Sequence, residues 1–131
     1  MNRERITVLI CLVLVTFCAA ALTNTVHVSR RMTVITDQAI ALTGEGGPDG
    51  KNLTKLDRKI SEIDRIWEKL APVVSTYSRH DELERVTSAV QRLRPLFESG
   101  QFDELYLTLH ETKDALDHLR QTELPTIENI L

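Results

Sequence analysis

The stretch LTKLDRKISEIDRIWEKLAPVVSTY, residues 53–77, decides the fold class. Its large apolar residues Leu53, Leu56, Ile60, Ile63, Trp67, Leu70, Val74 and Tyr77 recur at steps of three and four. That spacing is the seam of a helix packed lengthwise on other helices, since a strand would bring alternate residues to one face. Ile66 and Val73 widen the stripe midway, which predicts that Trp67 stands near its most buried level. Arg58, Glu62 and Arg65 fall on the wet side, where pairing would contribute about 0.2–0.5 kcal/mol per pair. Pro72 lacks a backbone donor and predicts a kink, because the apolar spacing continues beyond it.

Downstream, the step of six from Tyr77 to Leu83 breaks the rhythm and predicts a turn. Residues 78–84 offer an N-cap followed by an acid at the third position, so His80, Asp81 and Glu84 read as capping residues rather than an acid/base pair. Leu83, Val86, Val90, Leu93 and Phe97 give a third helix that carries Pro95 near its end and stops before Gly100. Phe102, Leu105, Leu109, Thr112, Leu116 and Leu119 give a fourth, with Asp103 and Glu104 in the first turn, where the helix dipole favours anions, and Pro125 as its stop.

Upstream, residues 44–51 hold four glycines and a proline, and they read as a hinge that supports no regular element. Before it, Val28, Met32, Ile35, Ala39 and Leu42 keep heptad spacing in a juxtamembrane helix, residues 27–43. Residues 6–26 contain no ionisable side chain except the thiols of Cys11 and Cys18. As a helix this run reaches roughly 31 Å, enough to cross a hydrocarbon core about 30 Å thick. A short charged head, an apolar run and Ala19-Ala20-Ala21 also fit a cleavable secretory signal. The anchor reading is preferred because the heptad spacing runs on past the apolar segment. Arg3 and Arg5 balance Arg30 and Arg31, and the short head before the apolar run favours a cytoplasmic N-terminus with the helical domain outside the cell membrane. Cys11 and Cys18 lie seven apart on one helix face and read as small apolar fillers, and Phe17 disfavours lipid processing at Cys18.

The expected fold is therefore all-α: an N-terminal transmembrane helix continuing into a small antiparallel bundle. Its parts are an anchor or signal peptide (1–26), a juxtamembrane helix (27–43), the hinge (44–51) and a three-helix domain with a C-terminal tail (52–131). The 131 residues carry 16 Lys and Arg against 19 Asp and Glu, a net charge of −3. From Gln101 onward two basic residues face seven acidic ones. Such a balance sets up no basic field for a phosphate backbone, and nucleic acid is not expected as a partner. The Gly-rich loop lacks the Gly-Lys-Ser/Thr ending of a nucleotide site, and no nucleophile elbow or His-Glu-x-x-His motif occurs. No catalytic residue and no cofactor is expected.

Three features together resemble the bacterial family known as domain of unknown function 4363. They are Trp67 on a long helix, His80-Asp81-Glu82-Leu83 opening the next, and the ending Leu124-Pro125-Thr126-Ile127-Glu128-Asn129-Ile130-Leu131. Members of that family have an N-terminal membrane segment and a short helical domain, and commonly finish on a Leu-Thr-Leu-x-Asn-Ile phrase. Pro125 departs from that phrase. The resemblance implies form and location, and it carries no activity, cofactor or catalytic residue.

Two further groups bear on function. His110, Asp114 and His118 follow at steps of four, a spacing that can gather metal ligands, yet they fall about 140–220° from Leu105 on the helical wheel and so are expected to face water. Leu124, Ile127, Ile130 and Leu131 place four large apolar residues in the last eight, where a free terminus is ordinarily polar. They should be covered, by the bundle or by a partner. The expectation is a non-enzymatic, membrane-anchored interaction or scaffold module, with Trp67 and the tail as contact elements for a protein partner. The alternative is an extracytoplasmic small-molecule or metal-sensing bundle bent at Pro72. A filled interior favours the first, and a ligand-sized cavity with convergent polar groups the second.

Overall fold

The computed structural model describes residues 2–44, 47–76 and 78–123. Four helices follow in order: α1 (Arg3–Thr43), α2 (Gly50–Val74), α3 (His80–Glu98) and α4 (Phe102–Glu123). Among the described residues there is no strand. Short connections make sequential helices antiparallel neighbours, and α4 also packs back on α1, closing a four-helix bundle. The expected all-α architecture is the one observed, and the 27–43 segment is one of the four staves of the bundle.

One apolar core runs through all four helices. The seam of α2 is buried at Leu56, Ile60, Ile63, Trp67, Leu70 and Val74, as its spacing predicts, with Leu53 half-buried at its start. Val86, Val90 and Leu93 of α3 and Leu105, Leu109, Leu116 and Leu119 of α4 complete it. Each fully buried Leu or Ile contributes roughly 1.5–3 kcal/mol relative to an exposed one.

Of the expected α1 stripe, Met32, Ile35 and Ala39 are buried in the core, but the stripe is not the centre of the buried face. That centre runs through Thr25, Ser29, Met32, Thr36, Ala39 and Thr43, at alternating steps of four and three, while Val28 and Leu42 are only half-buried beside it. Most of that seam is polar by residue type. It is tolerated because the threonine hydroxyls turn back onto their own helix: Thr25 donates to the Ala21 carbonyl (2.9 Å), Thr36 to Met32 (2.8 Å) and Thr43 to Ala39 (2.8 Å). The donors are thereby satisfied without a partner on another helix. Ser29 Oγ is the buried side-chain polar atom with no hydrogen bond among the described residues.

The helix ends bring further corrections. α2 begins at Gly50, inside the expected 44–51 hinge, because the Asp49 carboxylate accepts a hydrogen bond from the Asn52 amide (3.0 Å) and caps the helix there. Pro72 does not bend a continuing helix. It stands in the last turn of α2, which ends at Val74, where loss of one donor costs least. Tyr77, the expected last residue of that seam, lies outside the described residues. α3 starts at His80, with Arg79 as N-cap and no side-chain capping bond. His80 instead pairs with Glu84 one turn on (3.2 Å), and Asp81 with Arg79 (3.6 Å), all exposed. α3 stops as expected: Gly100 takes φ 72°, its amide donates to the Phe97 carbonyl (3.2 Å), and the Gln101 amide donates to Leu96 (3.0 Å). This left-handed closure favours glycine and turns the chain sharply into α4.

Polar links join neighbouring helices. The Trp67 indole donates to Thr87 Oγ1 (2.9 Å), and the Thr87 hydroxyl donates in turn to the Leu83 carbonyl (2.9 Å). Arg94 clamps α3 to α2 through the Asp57 carboxylate and Ser61 Oγ (2.6 Å), and lies against the Phe97 ring. Arg92 pairs with Glu111 between α3 and α4, and Lys113 with Asp37 (2.7 Å) between α4 and α1. The expected pairing of Glu62 with Arg58 and Arg65 is not made among the described residues.

Candidate functional site

Among the described residues, those singled out by sequence do not converge on one site. Trp67 is 4% exposed and its one polar atom is bonded to Thr87, so it is a core residue rather than a contact surface. His110 packs edge-on to Tyr106, with ring centroids 4.7 Å apart. Asp114 is exposed on the same helix. His118, expected to face water, is half-buried with Nδ1 2.8 Å from the Glu82 carboxylate of α3. Among the described residues no group of three His, Cys, Asp or Glu is placed to hold a metal ion. Leu124, Ile127, Ile130 and Leu131 lie outside the described residues.

A groove of about 490 Å³ opens instead between α1 and α2, where α1 leaves the bundle. α2 runs antiparallel to α1, so the end of α2 stands beside the end of the apolar segment. Ala21, Asn24, Thr25 and Val28 form the α1 wall; Ile66, Leu70 and Val73 form the α2 wall. The cause is local. Small residues on α1 leave space that α2 does not fill, while the second apolar stripe of α2, Ile66 and Val73, lies beside the buried seam and faces that space. Val73 remains 45% exposed.

Charge is unevenly distributed around it. Arg31, Arg65 and Lys69 line the groove with a single acid, Glu62, in a chain of net charge −3. None of the three cations is in an ion pair with a described residue. Elsewhere in the bundle charges are matched across helices, as at Asp37–Lys113 and Glu82–His118. Burial pushes the Asp64 carboxyl above the usual carboxylate range, with Arg94 opposing the rise and Glu68 adding to it. That carboxyl sits on the α3 side of α2 and takes no part in the groove.

Chemically, the groove offers an apolar wall and three cations without an ion-pair partner among the described residues, and its lining places no nucleophile beside a base. It suits recognition of an amphiphilic anion. Sequence reasoning registered its parts separately, as the widened stripe at Ile66 and Val73 and as the arginines after the apolar run. The i, i+4 pair Arg65 and Lys69 flanking that stripe was the available signal, but only the pairing of α2 with α1 brings Arg31 to it. No protein-family model, curated protein or solved structure matches the chain.

Proposed function

We propose that this chain is a non-enzymatic, membrane-anchored helical module that holds a protein partner beside a bilayer. Residues 6–26 cross the membrane with the N-terminus in the cytoplasm, and the four-helix bundle stands outside it. The observation that carries this reading is the continuity of α1. Its apolar part has an 18-residue window of mean hydropathy 2.7 with none of it buried inside the fold, and the same helix runs unbroken into the bundle core. Rigid continuity holds the bundle at a set height and angle above the lipid, as a scaffold requires. The apolar core shared by all four helices supports a structural role over chemistry in the interior.

Outside the groove, Val34 and Leu107, both more than half exposed, are large apolar side chains of the described bundle open to a partner. The small-molecule alternative has the groove in its favour, but the groove opens beside the apolar segment rather than inside the bundle. The test is the fate of the N-terminus and the side of the membrane. Mass spectrometry of the chain recovered from bacterial membranes should find residues 6–26 intact. A cysteine placed at exposed Ser88 in a Cys11→Ser, Cys18→Ser background should react with an impermeant maleimide in cells with a permeabilised outer barrier. A mature chain starting after Ala21, or labelling at Ser88→Cys only after lysis of the inner membrane, would overturn the reading.

A further inference from the structure

We propose that the α1–α2 groove binds the headgroup of an anionic glycerophospholipid drawn from the bilayer that α1 crosses; this rests on the anchor reading above. The first argument is place. Ala21 belongs to the apolar run, five residues before its end at Val26, and Arg31 lies ten residues on from Ala21, so the α1 wall starts within the outer part of the hydrocarbon core and extends about 15 Å outward, into the headgroup layer. The second is charge. Arg65 and Lys69 on α2 and Arg31 on α1 converge on one space without ion-pair partners among the described residues, which leaves their charge available to a phosphate. The third is the wall itself. Val73, Leu70 and Ile66 continue the apolar surface of the span upward alongside those cations, so a lipid can slide in with its glycerol against them while its acyl chains stay in the membrane. A volume of about 490 Å³ accommodates a glycerophosphate headgroup and excludes two full acyl chains.

A free anion would use the cations but not the apolar wall, and a neutral lipid the wall but not the cations. The occupant that uses both is an acidic phospholipid. The lipid then acts as a wedge between α1 and α2 at the point where the anchor enters the bundle.

The experiment is native mass spectrometry of the full chain released from detergent micelles, titrated with dioleoyl phosphatidylglycerol or dioleoyl phosphatidylcholine. The expected result is one retained phosphatidylglycerol, bound about tenfold more tightly than phosphatidylcholine, the order that two or three cations near a phosphate supply after screening. The Arg31→Gln, Arg65→Gln, Lys69→Gln triple variant should lose that preference. A control with the same charge change at the far end of α2, Lys51→Gln, Lys55→Gln, Arg58→Gln, should keep it. Single Arg65→Gln and Lys69→Gln variants, with melting followed by circular dichroism, keep the result readable if the triple variant is unstable. Equal retention of both lipids, or equal loss in the control, overturns the proposal. Displacement of the lipid by inorganic phosphate at about 10 mM also overturns it, since the site would then be one for a soluble anion. Failure of the anchor reading is separately visible: N-terminal processing would remove the span in cells, while the full-length chain would still discriminate between the lipids.

Discussion

The two halves of α1 invert the usual relation between hydropathy and burial. Residues 6–17 carry Ile6, Leu9, Leu12, Leu14 and Phe17, all at least 40% exposed. Residues 25–43 bury Thr25, Ser29, Thr33, Thr36 and Thr43 at 9% exposure or less. One unbroken helix thus exposes its most apolar half and buries a face rich in hydroxyls. Hydrophobic side chains are covered by whichever apolar medium is available, and the first half is suited to lipid while the second is covered by protein. A hydroxyl that bonds its own helix carbonyl presents a methyl and a satisfied oxygen to the core, so threonine can serve as a core residue of α1.

The largest expected effect breaks the first half alone. Replacing Ile10 and Leu14 by Arg places two charges near the middle of the proposed span, at a cost of about 5 kcal/mol or more together on the insertion scale. The double variant should leave the membrane fraction, while the melting transition of the bundle stays unchanged. A simultaneous loss of bundle stability would show that the two halves are not independent.

The same truncation at two sites sharpens the contrast. Met32→Ala removes a fully buried side chain and should destabilise the bundle by about 2–4 kcal/mol in chemical denaturation. Leu12→Ala, 60% exposed in the span, should leave that transition in place. Smaller and opposite in sign is Ser29→Ala, which removes a buried hydroxyl that has no partner among the described residues. It should stabilise the bundle by up to about 1 kcal/mol. A loss of stability there would mean that a hidden water or partner serves Ser29.

The smallest effect concerns pH. The hydrogen bond from Lys113 to Asp37, followed by the charge of the same carboxylate, raises the Lys113 pKa above its ordinary value. Because the folded pKa lies above the unfolded one, this contribution is fully present below the ordinary lysine pKa and is lost as pH rises through the raised value. Lys113→Gln should therefore flatten the alkaline end of the stability profile and lower stability slightly at neutral pH, consistent with a surface pair.

Most of the fold was legible because α2 and α4 place aliphatic side chains at almost every seam position, and helical periodicity reports those directly. On α1 the spacing marked Met32, Ile35 and Ala39, which are buried, but missed Thr25, Ser29, Thr36 and Thr43, because hydropathy does not mark hydroxyl residues as buried. The burial of Trp67 was legible in the widened stripe of α2, but its bond to Thr87, twenty residues away, depends on α3 lying alongside α2. The same reason hid the partners of His118 and the convergence of Arg31 with Arg65 and Lys69.

The sequence by itself determined an all-helical chain with one segment long and apolar enough to cross a membrane, since both follow from local spacing and the length of an uncharged run. Tertiary structure alone decided which line of α1 is centred on the core, which charges are matched across helices and where three cations without an ion-pair partner among the described residues line one apolar groove. Those outcomes depend on distances between residues far apart in the chain, and periodicity along one helix carries no information about the azimuth at which its neighbours pack.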